Sequence, residues 1–336
     1  MSRTVLKRLG IDLPLLPTTS VGSLPKPPDL VAARARFARG GMSQRELDEV
    51  AEEAVLFWLQ RQEDLGLDVL VDGEMYRGDM VAYFADQLEG MKLGGLVRAY
   101  GNRYYRKPVM CSAVRWQQPM TVGWWRFAQA HTRKPVKAII TGPYTMMDWS
   151  FDEHYPDRRS ACLALAHEMR KEVEALAAAG AKIVQVDEPA LSVRPDELRL
   201  AIEATRIVTD GLPIYTITHA CYGAFEHIYP GMLELPTHNL DLAISQSATD
   251  WISIMQRTPF TKDLSVGVLD VHTYAVESVQ TVRNRIERAM ALVPRDALWV
   301  TPDCGLKTRT VEEAIDKLAN MMAATQPVRQ SVGERA

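Results

Sequence analysis

Two hydrophobic rhythms alternate along this chain. Short apolar runs of strand length, rich in β-branched residues, are separated by longer stretches whose apolar positions recur with helical spacing. The runs that predict strands lie at 15–23 (broken by Gly22), 68–74, 138–143, 182–189, 214–223, 240–245, 264–272 and 298–303. Helical spacing covers 32–37, 43–65, 158–179, 195–209, 276–292 and 310–324, and Ser43 and Glu46 stand at the separation of a capping box. Eight strand-like runs, most of them followed by a helix, predict an α/β fold: a (β/α)8 TIM barrel in one domain over residues 1–336. A doubly wound open sheet is the weaker alternative, because no Gly-x-Gly-x-x-Gly follows the first strand.

The alternation lapses between 75 and 135. Residues 80–85 look helical, whereas 94–108 mix turn residues, aromatics and basic side chains. This reads as a β-hairpin excursion after the second strand, spanning about 88–125. The polar segment 326–336 reads as a frayed tail.

Composition narrows the function. A net charge of -3 with intermixed signs gives no nucleic-acid footprint. No apolar run reaches the roughly 18 residues of a membrane span, and the amino terminus has no secretory hydrophobic region. The expectation is a soluble cytoplasmic protein, where thiols stay reduced and can hold metal. Cys111, Cys162, Cys221 and Cys304 are too dispersed for a disulfide framework, and Cys162 sits in a helical run suited to core packing.

In a barrel the strand ends converge on the active face. Here they would gather Ser23, Glu74, Asp187, Glu188, His219, Cys221, His272 and Cys304, together with the 142–149 loop that ends in Trp149. His219 and Cys221 are two apart, so on a strand both project from one face. With Cys304 at another strand end they make an imidazole-plus-two-thiolate set, suited to zinc with one position left for substrate. Each residue also has a plain reading: Asp187 and Glu188 as a cap for the next helix, Glu74 within a surface ion-pair cluster, His272 as an ordinary core histidine, Trp149 as a plug.

The motifs that carry these residues resemble the catalytic barrel of cobalamin-independent methionine synthase, in the short form without the duplicated amino-terminal barrel. The resemblance runs through residues 16–23, 72–84, 141–151, 185–191, 218–222, 270–272 and 302–309. It implies that His219, Cys221 and Cys304 hold zinc. It likewise implies that Ser23 holds the acceptor's carboxylate, that Glu74 and Asp187 hold its ammonium group, that Trp149 lies beside the methyl-donor pocket, and that His272 carries a proton near the departing group. The activity implied is zinc-dependent methyl transfer to the thiol of homocysteine, forming methionine. The donor would be methyltetrahydrofolate or a methylcorrinoid such as methylcobalamin, free or on a partner protein. The basic, aromatic stretch 98–107 would meet a polyglutamate tail or an acidic partner.

One departure matters. Where the family carries a glutamate as fourth zinc ligand, this chain has Ala243, with Gln246 and Asp241 as nearby substitutes. That opens two alternatives: an alkyltransferase for another small thiol, or a non-catalytic paralogue that binds thiols or methionine.

Overall fold

The computed structural model describes residues 2–98, 104–221, 225–245 and 250–333. By internal contacts the chain forms two compact units. One comprises Met1–Tyr76, Trp124–Lys137 and Asn239–Ala336, the other Arg77–Gly123 and Ala138–His238.

In the first unit the strands Asn239–Leu242, Asp263–Gly267 and Leu298–Thr301 pair in parallel and in chain order. Every residue of the three is buried, as a parallel sheet covered on both faces requires. Parallel bridges from Thr18 to Val300, Thr19 to Val69 and Leu70 to Val136 extend the pattern. The strands expected at 15–23 and 68–74 therefore shrink to a few paired residues. The cause is local: Leu16, Gly73 and Glu74 all have positive φ, at 50°, 70° and 58°, which turns the backbone out of the extended region.

Helix Gln44–Leu65 begins where its sequence signal lies. The Ser43 side chain accepts from the Glu46 amide, and the Glu46 carboxylate accepts from the Ser43 amide. Helix Val311–Gly333 overturns the expected frayed tail from 326 onward. It continues through Pro327, buries Val328, and anchors Arg329 to the Leu16 carbonyl at 2.9 Å and to Asp68 at 2.6 Å.

In the second unit the strands Ala138–Thr141, Ile183–Asp187 and Tyr215–Ala220 form a fully buried parallel ladder. Helices Arg158–Ala178 and Leu198–Thr209 follow the first two of these strands. The excursion is an antiparallel hairpin of Leu88–Arg98 and Tyr104–Trp116, joined in parallel by Phe151–Asp152. It ends earlier than the expected residue 125, because Val122–Ala130 is helical. Fully buried Glu172 fixes the hairpin's exit, accepting from Trp116 Nε1 at 2.8 Å, the Met120 amide at 2.9 Å, and the Thr121 amide and hydroxyl at 2.7 Å. A buried carboxylate with four donors needs no cation beside it. Parallel pairing and the βα alternation are those of the (β/α)8 class expected from the sequence.

Candidate metal centre and active site

The register of the parallel ladder decides which side chains meet. Thr141 pairs with Asp187, and Asp187 pairs with His219, so these residues stand side by side on neighbouring strands about 4.8 Å apart. Cys221 follows two residues after His219, one residue past the strand Tyr215–Ala220. The ligand atoms of His219, Cys221 and Cys304 all lie within 4.8 Å of one another, the first two residues buried and Cys304 half-buried. Among the described residues no fourth His, Cys, Asp or Glu joins this group.

The donor set fits zinc. Thiolate and imidazole are its preferred ligands, and two sulfurs bound at about 2.3 Å in a tetrahedron stand roughly 3.8 Å apart, within the spread seen here. Three protein ligands leave one coordination position for a substrate. Ala243, half-buried just beyond the Asn239–Leu242 strand, offers no ligand atom. Asp241 is turned to other use, since Thr301 Oγ1 donates to it at 3.0 Å within the sheet. Gln246 lies outside the described residues.

Ser23 and Glu74 are brought together by backbone pairing. The Leu24 amide donates to the Gly73 carbonyl at 3.0 Å, and the Leu306 amide to the Ser23 carbonyl at 2.7 Å, which sets Ser23 against the segment following Cys304. Both side chains are buried. Glu74 holds a left-handed conformation, unusual for a residue with a side chain, and its amide donates to Asp72 Oδ1 at 2.8 Å. Strain of this kind, about 1–3 kcal/mol, persists where a side chain must be aimed. Glu74 is buried, so it is not the surface acid that its neighbours suggested.

Asp187 is buried and accepts from Gln185 Nε2 at 2.7 Å. Its neighbour Glu188, wholly inaccessible, does not cap the helix that follows it. Its carboxylate accepts from the Tyr144 amide at 3.0 Å and from the Thr145 amide and hydroxyl at 2.7 Å, at the start of the short helix Pro143–Asp148. Burial pushes the Glu188 carboxyl up to about 7 against the pull of Thr145's donors. Trp149 ends that helix, half-buried; Tyr105 of the hairpin donates to its carbonyl at 3.3 Å and lies 6.4 Å from it, centroid to centroid. The hairpin thus touches the aromatic assigned to the donor pocket. Residues 99–103 of its basic stretch lie outside the described residues.

His272 is exposed, in the irregular segment after Asp263–Gly267, where its amide donates to Asp270 Oδ1 at 2.8 Å. It is not the core histidine that the plain reading offered. Two contributors escaped the sequence reading. Lys317, fully buried, donates to the Asp270 and Ala275 carbonyls and to Glu277, fastening the segment that carries His272. Gly305 lies against Ser23. A lysine amid the apolar positions of a helix was the only signal for the first.

Comparisons with known proteins identify the family. Residues 16–327 match the family model described as "Cobalamin-independent synthase, Catalytic domain". A 5-methyltetrahydropteroyltriglutamate–homocysteine methyltransferase of Synechococcus sp. is 40% identical over 96% of this chain, which spans 45% of that protein. A methionine synthase of Saccharolobus solfataricus is 35% identical, with 95% of this chain and 97% of that one covered. Among solved structures, a B12-independent methionine synthase from Shewanella sp. W3-18-1, in complex with selenomethionine, superposes with a TM-score of 0.84 at 25% identity, over 95% of this chain and 99% of that one. The donor named for the Synechococcus protein is a folate and the family is described as cobalamin-independent, so the methylcorrinoid expected as one donor is corrected. The chain spans about half the length of such relatives yet nearly all of the Saccharolobus protein. The family model and the relatives together establish that this chain belongs to the cobalamin-independent methionine synthase family of methyltransferases, matching that family's catalytic domain.

Proposed function

We propose that this protein transfers a methyl group from a methyltetrahydropteroyl folate to the thiol of homocysteine, giving methionine, with zinc held by His219, Cys221 and Cys304. The observation that carries the reading is the convergence of those three ligand atoms within 4.8 Å, with Asp187 in register beside His219. A zinc ion there supplies Lewis acidity that keeps a thiol ionised at neutral pH.

The remaining work belongs to the chain. Glu74 and Asp187, both buried, hold the acceptor's ammonium group between two carboxylates. Ser23 donates its hydroxyl to the acceptor's carboxylate. Held at both ends, the acceptor presents its sulfur to the methyl carbon in line, which is catalysis by positioning. The S–CH3 bond forms as the bond from methyl to the folate nitrogen breaks, and that nitrogen takes up a proton. His272, exposed and therefore in exchange with solvent, supplies it. Trp149 offers its face to the flat donor ring. The reading is of a cytoplasmic enzyme, in a compartment where thiols stay reduced and can bind metal; no described helix is long and apolar enough to cross a membrane.

The test is methionine formation by zinc-loaded protein from homocysteine with mono- and triglutamyl methyltetrahydrofolate. Cys221→Ser and Cys304→Ser should lose zinc and turnover together. Metal content below about a tenth of a zinc per chain in carefully prepared wild type would refute the reading. Turnover with other small thiols but not with homocysteine would shift it to a different acceptor.

A further inference from the structure

Gly305 follows Cys304 directly, and its backbone does not explain why it is glycine. Its φ is outside the left-handed region, so an L-residue could adopt the same conformation. What excludes a side chain is one atom. A methyl group on Gly305 would lie 2.0 Å from Ser23 Oγ, whereas Ser23 Cβ and the Ser23 carbonyl oxygen would both be at 3.2 Å. The two longer contacts ask for shifts of a few tenths of an ångström. The short one cannot coexist with the hydroxyl where it stands, and a serine hydroxyl escapes by turning to another rotamer. The space left empty at Gly305 is the space that the Ser23 hydroxyl fills, and the 2.7 Å hydrogen bond from the Leu306 amide to the Ser23 carbonyl fixes the two backbones in that contact.

We infer that Gly305 is a positioning residue for acceptor recognition. By carrying no side chain it keeps Ser23 Oγ aimed at the acceptor's carboxylate, and it ties that end of the acceptor to the metal ligand one residue away. The inference rests on the reading of Ser23 as the carboxylate's partner. It makes Gly305 a determinant of specificity for α-amino acid thiols over thiols without a carboxylate.

The experiment compares wild type, Gly305→Ala, Ser23→Ala and the double variant, all zinc-loaded. Calorimetry measures binding of homocysteine and of 3-aminopropanethiol, which keeps the thiol and amine but lacks the carboxylate. Hydrogen bonds to charged groups are worth about 10- to 100-fold in affinity, so Gly305→Ala should weaken homocysteine by that factor, raising KM more than it lowers kcat. Affinity for 3-aminopropanethiol should stay within about twofold, with zinc content unchanged, since nothing it uses has moved. In the double variant the hydroxyl is gone, so adding Gly305→Ala to Ser23→Ala should cost nothing further. Wild-type homocysteine affinity in Gly305→Ala, equal weakening of both thiols, or additive losses in the double variant would each overturn the inference. Should Gly305→Ala fold poorly, the double variant must regain the lost melting temperature; no recovery also overturns it. If Ser23→Ala binds homocysteine as wild type does, the Ser23 assignment fails first and takes this inference with it. If wild type binds no homocysteine, the proposed function itself is wrong.

Discussion

Replacing Lys317 by Met should destabilise the protein sharply while leaving the proposed metal ligands untouched. The ammonium group has no solvent exposure and three partners: the Asp270 carbonyl at 3.0 Å, the Ala275 carbonyl at 2.5 Å and Glu277 at 2.8 Å, the last only 8% exposed. Methionine fills much of the volume but donates nothing, so two carbonyls and a buried carboxylate lose their donor. Breaking a buried ion pair costs about 3–5 kcal/mol. Glu277 keeps Arg285 at 3.3 Å and the Asp270 amide at 2.6 Å, which argues for the lower end, about 3 kcal/mol. At roughly 2–4 °C per kcal/mol for chains somewhat shorter than this one, the melting temperature should fall by about 6–12 °C, toward the lower end for a longer chain, in scanning calorimetry. Removing both charges in Glu277→Leu/Lys317→Met should recover only part of that loss, because Glu277 also serves Arg285 and the Asp270 amide. A Lys317→Met melt within about 2 °C of wild type would refute the account of a buried clasp, as would a double variant less stable than the single. Residues 270–277 bear His272, so on the proton-donating role proposed for it the single variant, assayed well below its melting temperature, should lose kcat more than affinity for homocysteine.

Three further outcomes follow from the same geometry. Glu188→Ala strands two buried amides at the start of Pro143–Asp148 and should cost about 2–4 kcal/mol in urea unfolding, with Trp149 fluorescence altered in the folded state. Glu197 is held at about 2, well below the usual carboxylate range, chiefly by the hydrogen bond from Arg158, with Tyr144 assisting. A carboxyl depressed in the folded state contributes stability above its unfolded value of 4.5, and the contribution is lost as pH falls toward 2. Glu197→Gln should therefore cost roughly 1 kcal/mol at neutral pH, Arg158 being 40% exposed, and the gap should close through that acid window. Ala243→Glu would supply the carboxylate that the resemblance places at this position; the proposed zinc should then resist chelators about tenfold better in a competition assay, and unchanged retention would show that Ala243 does not face the ion.

Much of this was legible in the residues because the relevant signals are short-range. The Ser43 and Glu46 pair announces a helix start wherever it lies, and six apolar runs became six buried strands. His219 and Cys221 share a face by strand geometry alone, and Cys304 follows a strand that the pattern made visible. What escaped depends on distant partners. A polar run from 326 suggested a frayed tail, but Arg329 reaches Leu16 and Asp68, hundreds of residues away in the chain. The first two strands looked longer than they are, since nothing in Leu16 or Glu74 advertises a left-handed backbone. Glu188 read as half of an acidic pair, whereas the three-dimensional arrangement gives it to a helix start formed more than forty residues earlier.

Glycines at the strand ends share one logic with the site's polar groups. Gly142, Gly267 and Gly305 all avoid positive φ, yet a methyl group at each would fall about 2 Å from a polar side-chain atom: Glu188 Oε1, Asp303 Oδ1 and Ser23 Oγ respectively. Each polar group is pressed against bare backbone, where water cannot lie between them. A carboxylate so placed must take its hydrogen bonds from the protein, and it does: Glu188 from Tyr144 and Thr145, Asp303 from the amide and hydroxyl of Ser245. Desolvation is the price of that fixity, and it shows in both acids, with burial lifting Glu188 to about 7 and Asp303 to about 6. Ser23 differs in being a hydroxyl, which carries no charge to desolvate and keeps a proton to donate. Of the three polar groups set against glycine it is the one suited to meet an anionic substrate group, and the two acids are suited to hold the frame around it.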